Sequence, residues 1–224
     1  MSSTDTVVPI LGMPFLEVLS FSAIISTLGM FCCGIPICRT IADKGNTDGV
    51  NPAPFLLGTI GCFFWLRYGL LKADNTILTV NGIGLFLQVF YLGFFYVYTR
   101  NKTTIGRQIA LIAVLTVSML AYVHMYSALP DVAVNHLGMM CVVLNILNFA
   151  SPLAGLGDVF RTRSTESLPL PLCAANLLVS AQWFMYGSLV SDLYIKGPNF
   201  IGIILALIQL SLFLIYPRKR VHRG

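Results

Sequence analysis

The sequence predicts an all-α integral membrane protein. Seven transmembrane helices are expected as two parallel three-helix bundles joined by a linker helix, with the N-terminus outside and the C-terminus cytosolic. Three observations predict this. First, the 224 residues are 56% hydrophobic and 10% charged, with a mean hydropathy of +0.80. A soluble domain carries about 25% charged residues, so this chain lacks the polar surface to face water and its bulk must face lipid. Second, seven apolar segments approach the ~20 residues that a helical span needs, and none alternates with the period of two that a β-barrel requires. Third, one stretch occurs twice. Trp65, Tyr68, Gly69, Leu71, Asp74, Ile77, Asn81, Ile83 and Gly84 return 118 positions later as Trp183, Tyr186, Gly187, Leu189, Asp192, Ile195, Asn199, Ile201 and Gly202. Nine of these twenty positions match without a gap, where chance gives roughly one or two. Duplication of this kind marks a repeat architecture.

In chain order the spans are expected at 15–38, 53–71, 76–98, 105–127, 134–157, 168–190 and 197–216, joined by short links. The first three pair with the last three, and the fourth has no counterpart. An odd number of spans reverses direction, so the fourth restores it and the two halves run parallel. The domains read as 1–100 (first bundle), 101–130 (linker span), 131–216 (second bundle) and 217–224 (basic tail).

Charge sets the orientation. Arg39, Lys44, Arg100, Lys102, Arg107, Arg161, Arg163, Arg218, Lys219, Arg220 and Arg223 fall on one side; only Arg67, Lys72 and Lys196 fall on the other. The positive-inside rule makes the richer side cytosolic. The sequon Asn101-Lys102-Thr103 then faces the cytosol and stays unglycosylated. The pI near 9.0 reflects these loops and the tail, a pattern of membrane topology rather than nucleic-acid binding. Cys32, Cys33, Cys38, Cys62, Cys141 and Cys173 lie in or at the ends of apolar runs, without metal-ligand spacing. No metal and no cofactor is expected. No basic n-region precedes the first span, so no cleaved signal peptide is expected.

Prolines also recur. Gly34-Ile35-Pro36 is answered by Ala150-Ser151-Pro152, and Pro54 by Pro169, with a slip of two or three positions against the 118 register. Asn81 and Asn199 sit inside apolar runs, where a carboxamide is costly unless paired. One such Asn is most simply helix-to-helix glue. Two in matched places line a centre, and an amide both donates to and accepts from hydroxyls. Trp65 and Trp183, the only tryptophans, lie one turn deeper than Tyr68 and Tyr186. Indole packs well on the C–H face of a sugar.

These residues carry a family resemblance. The Ala150-Ser151-Pro152 motif, the Lys44…Thr47-Asp48-Gly49 and Arg163-Ser164-Thr165-Glu166-Ser167 loops, Trp183…Tyr186-Gly187, and Asn81 with Asn199 together resemble the SWEET sugar transporters, a 3+1+3 family of bidirectional uniporters related to the PQ-loop proteins. The resemblance spans nearly the whole chain. It implies that Trp183, Asn81 and Asn199 contact sugar, with Trp65 narrowing the pocket toward a monosaccharide, and that Cys32 and Asn148, one turn before Pro36 and Pro152, help set substrate size. It makes Pro36, Pro54, Pro152 and Pro169 the cytosolic hinge, and Tyr68, Asp74, Tyr186 and Asp192 the outer gate.

No Asp, Glu or Lys lies near the middle of a predicted span. A proton-coupled carrier needs such a group. The reading is therefore a facilitative uniporter for a glucose-like monosaccharide, not an enzyme, whose partners are sugar and the lipid bilayer and not nucleic acid. The plasma membrane is the expected location, with an endomembrane such as the Golgi as the alternative. A lipid-facing fourth span leaves a homo-oligomer open. The alternatives are a PQ-loop carrier of another small neutral solute, or a seven-helix receptor. A seven-helix receptor has no internal duplication.

Overall fold

In hydrocarbon every backbone N–H and C=O must find its partner within the protein, which leaves helix as the only open-chain solution. The computed structural model describes residues 14–126 and 129–218, and these form nine α-helical elements without a strand. They are α1 (Phe15–Phe31), α2 (Gly34–Lys44), α3 (Ala53–Lys72), α4 (Asn75–Tyr98), α5 (Lys102–Met125), α6 (Pro130–Asn148), α7 (Ala150–Thr162), α8 (Leu170–Leu189) and α9 (Leu193–Ile215). The first and fifth spans are each two helices, α1 with α2 and α6 with α7. They run through Phe15–Lys44 and Pro130–Thr162, longer than the 15–38 and 134–157 expected. The seven expected helical segments are thus present. Six are long and apolar enough to cross a membrane by length and composition. The remaining one, α8, carries Asn176, Ser180 and Gln182.

The sequence of α5 explains its start. Asn101 caps it, the side chain accepting from the Thr104 N–H at 3.0 Å. The sequon asparagine is therefore a helix cap. At the far end of α5, the Tyr122 hydroxyl bonds His136 Nδ1 on α6, and Tyr126 meets the same ring edge-on.

The chain forms two compact units. One runs Thr27–Leu144; the other joins the described residues up to Ser26 to those from Asn145 onward. Both boundaries fall within the two broken spans. In the first unit α3 packs along α4, and Cys38, Ile41, Phe55, Leu56, Tyr91, Leu92, Phe95 and Ile105 form a core. In the second α8 packs along α9 over Leu156, Val159, Leu168, Cys173, Leu205 and Leu212.

The cores set the register of the repeat. Cys38, Ile41 and Phe55 in the first core are answered by Leu156, Val159 and Cys173 in the second, each 118 positions on. Left-handed backbone follows the same offset: Gly45 (φ 67°) with Arg163 (φ 53°), and Ala73 (φ 52°) with Ser191 (φ 55°). The 118 register thus holds through the broken spans without a slip. The prolines do not follow it. In the second copy Pro152 lies two places, and Pro169 three places, ahead of where Pro36 and Pro54 would map. Packing fixes the phase of core side chains. A proline that opens a helix needs only to fall near its first turn, where an N–H has no intrahelical partner anyway.

Candidate substrate site

Each compact unit builds a half-site by the same local rules. In the Thr27–Leu144 unit, α3 ends at Lys72 and Ala73 turns left-handed, so that the Asp74 N–H reaches back to the Gly69 carbonyl at 2.9 Å. Asp74 then caps α4, its carboxylate accepting from the Thr76 and Ile77 N–H groups at 2.9 and 3.0 Å. In the other unit the Asp192 N–H reaches the Gly187 carbonyl at 2.8 Å. Its carboxylate accepts from Tyr194 and Ile195 at 3.0 and 3.3 Å. An aspartate at this place satisfies orphan donors and suits the positive end of the helix. Both aspartates expected at an outer gate are therefore also the N-caps that fix the register of the next helix.

The close return needs small residues. A Cβ on Gly187 would stand 2.8 Å from the Lys196 backbone nitrogen, and one on Gly69 would stand 3.0 Å from Ile77. Deeper in, a Cβ on Gly84 would meet Phe31 at 2.4 Å and Cys62 at 3.0 Å; one on Gly202 would meet Ser180 at 2.6 Å. Glycine at these four places lets α3 approach α4, and α8 approach α9.

Seven residues after each capping aspartate stands an asparagine. The Asn81 amide donates to the Ile77 carbonyl at 2.9 Å, and the Asn199 amide to the Ile195 carbonyl at 2.7 Å. Each side chain is held against its own helix, one turn back. Its carboxamide oxygen takes no hydrogen bond from a described residue. The tryptophans are held alike. Trp65 meets Tyr68 edge-on, with centroids 5.5 Å apart and planes at 80°; Trp183 meets Tyr186 at 5.5 Å and 78°. The tyrosines are buried, whereas both indoles are half-buried. Each unit thus sets an aromatic plane on one helix and a fixed amide on the next.

Cys32 lies in the break between α1 and α2, and Asn148 ends α6; both are exposed. Pro36 and Pro152 are each the third residue of a new helix, α2 and α7. They follow breaks closed by tight turns, from the Ile35 N–H to the Cys32 carbonyl at 2.9 Å and from the Phe149 N–H to the Ile146 carbonyl at 3.0 Å. These prolines start helices rather than loosen the middle of one. Pro54 is the second residue of α3. Pro169 caps α8, where Pro171 holds the second place.

Sequence reasoning missed several supporting residues. Phe31 and Phe149, 118 apart at the two breaks, approach Gly84 and Gly202. Gln209, buried on α9, donates to the Pro152 carbonyl at 3.3 Å. Tyr91, 118 places before Gln209, lies against Gly34, where a Cβ would be 2.4 Å from its ring. Pro198 stands inside α9 beside Asn199. The offset of 118 alone pairs the two phenylalanines; Tyr91 and Gln209 differ in type and leave no such mark.

Trp65, Trp183, Asn81 and Asn199 are themselves uncharged, and the Lys196 ammonium lies over the Phe184 ring next to Trp183, 5.5 Å from its centroid. Arg67, two residues beyond Trp65, keeps its Nε buried without a hydrogen-bond partner. Among the described residues no group of three His, Cys, Asp or Glu could hold a metal.

Duplicated helices that bring an aromatic plane and an amide to each copy define a class: multi-pass membrane carriers built from an internal repeat. The family described as "Sugar efflux transporter for intercellular exchange" matches this chain twice, over residues 17–103 and 135–221. A Caenorhabditis elegans protein named "Sugar transporter SWEET1" is 46% identical over 209 residues, covering 93% of this chain and 68% of its own length. The protein of that name from Drosophila pseudoobscura pseudoobscura is 43% identical, covering 91% of this chain and 90% of its own length; the human one is 36% identical, covering 92% and 94%. A solved structure of a eukaryotic SWEET transporter superimposes with a TM-score of 0.80 at 31% identity, covering 90% of this chain and 96% of that one. The chain belongs to the SWEET family of sugar transporters. It is a multi-pass membrane transporter and not an enzyme, as the motifs led one to expect.

Proposed function

We propose that this protein is a facilitative, bidirectional uniporter for a glucose-like monosaccharide, working by alternating access between its two repeat halves. The observation that supports this best is the matched pair of half-sites. Each offers an indole face for the C–H surface of a hexose and a fixed amide whose oxygen accepts from its hydroxyls. The second indole, at Trp65, favours a monosaccharide over a disaccharide. No Asp, Glu or Lys lies near the middle of a span, which favours an uncoupled, downhill mode for a neutral solute.

In this reading Trp65, Trp183, Asn81 and Asn199 hold the sugar, and Cys32 and Asn148 border it. The breaks before Pro36 and Pro152, with the helix starts at Pro54 and Pro169, form the cytosolic hinge. Tyr68, Asp74, Tyr186 and Asp192 close the outer mouth. By the positive-inside rule the basic loops support a cytosolic C-terminus, and the plasma membrane is the proposed site of action. The residues of the basic tail beyond Arg218 lie outside the described structure.

Counterflow of radiolabelled glucose in proteoliposomes tests the reading. Wild type should exchange glucose stereospecifically at the same rate with and without a pH gradient, and Asn199→Ala should lose at least about tenfold. Absence of hexose exchange by the wild type overturns the substrate; accumulation driven by the pH gradient overturns the uncoupled mode.

A further inference from the structure

One polar bridge is not duplicated by the repeat. Gln182 lies on α8, 8% exposed, beside Trp183. Its Nε2 donates to Ser22 Oγ at 2.6 Å, and its Oε1 accepts from Ser26 Oγ at 2.5 Å. The serines are four residues apart and so stand one turn above the other on a single face of α1. One carboxamide thus spends both of its functions on one face of one neighbouring helix.

The first copy solves the same position differently. In the 118 register Gln182 maps to Phe64, and Ser22 and Ser26 map to Met140 and Leu144, all apolar. Burying a carboxamide is costly without partners, and interhelical side-chain bonds in membrane proteins add little on average. Simple packing would have been met by the apolar set already present in the other copy. The bridge also falls at a particular place. Residues up to Ser26 belong to the compact unit that starts again at Asn145, whereas Thr27 onward belongs to the other unit. The last bridged residue is the last residue of that segment. Two turns further on, the span breaks at Cys32 and Cys33.

We propose that Gln182 is a positioning residue that latches the N-terminal segment of α1 to α8, so that this segment moves with the second repeat during transport. The break at Cys32–Cys33 absorbs the difference between this segment and α2. The latch acts on the conformational step and leaves sugar contacts alone. This inference rests on the alternating-access reading above.

The test uses full-length protein in proteoliposomes. Glucose counterflow gives KM and maximal exchange rate, and tryptophan fluorescence gives Tm. The variants are Ser22→Ala/Ser26→Ala, the all-apolar triple Ser22→Ala/Ser26→Ala/Gln182→Leu, and Ser22→Ala alone. Replacing every partner of a buried bond by apolar groups is close to neutral for folding, whereas leaving one unpaired is not. The triple should therefore keep its Tm within about 3 °C of wild type, and the double should fall further. The triple should keep its KM within about twofold while its maximal rate drops at least about fivefold. Ser22→Ala, which retains the Ser26 bond, should give a two- to threefold drop at unchanged KM, and it decides the matter should the triple not fold. A folded triple with wild-type rate, or an unchanged rate in Ser22→Ala, reduces the bridge to packing. A raised KM at unchanged maximal rate moves Gln182 into the binding site; either result overturns the latch. Wild type without counterflow defeats the uniporter reading instead.

Discussion

Asn81 and Asn199 show how much a single side chain is prepared by its neighbours. Each gives an N–H to a carbonyl one turn back, which sets the orientation of its oxygen; in the proposed site, little rotamer entropy would remain to be lost on binding. Trp65 is the residue proposed to narrow the pocket. Its indole is half-buried and edge-on to Tyr68. Trp65→Gly should admit a disaccharide, so that labelled sucrose exchanges where wild type exchanges only hexose. Sucrose exclusion by a folded Trp65→Gly would remove this residue from size selection. Asp192 has two proposed duties that one pair of substitutions separates. Asp192→Ala removes the α9 cap and should lower stability by about 1 kcal/mol, read as a fall in Tm. Asp192→Asn keeps a capping oxygen and should hold Tm, yet it removes the charge proposed to close the outer mouth. If Asp192→Asn transports like wild type, the aspartate is a cap and nothing more.

At the scale of the element, the two breaks matter most. The α1–α2 break is lined by Gly34, whose missing Cβ leaves room for the Tyr91 ring. Gly34→Ala puts a methyl group 2.4 Å from that ring, and overpacking of this kind costs roughly 1–3 kcal/mol. Gly34→Ala should therefore lower Tm by several degrees, and Tyr91→Leu in the same chain should recover much of the loss, since it vacates the contested volume. No recovery in the double variant would mean that the alanine acts through the helix backbone instead. The prolines belong to this scale too. Their recurrence is plain in the sequence, but as helix starters they tolerate a shift of two or three places, so their spacing is a poor guide to the register of the repeat. Core side chains such as Ile41 with Val159 hold it to 118, because a helix rotated by two residues would turn its apolar face away from the core.

For the whole molecule, the apolar surface and the duplicated half fix the class of protein, and the neutral half-sites fix the expected energetics. Exchange should depend on the sugar gradient alone: a shift of one pH unit across the membrane should leave the steady-state distribution of glucose at unity. A concentration ratio tracking the proton gradient would require a proton-carrying group within the spans, and no Asp, Glu or Lys lies near the middle of one.

By itself the sequence determined the seven helical segments, the pairing of the first three with the last three, the family, and the recurrence of Trp, Tyr, Asp and Asn in both copies, because hydrocarbon solvent and gene duplication both write periodic, local signals. Only the tertiary structure decided where the first and fifth spans break, that Asp74 and Asp192 cap helices, that the repeat keeps one register while its prolines drift, and that Gln182 ties Ser22 and Ser26 to α8. The shared register and the Gln182 bridge depend on side chains that meet across long separations of chain, while the caps and breaks are single local turns inside apolar runs; neither leaves a period in the sequence for composition or spacing to reveal.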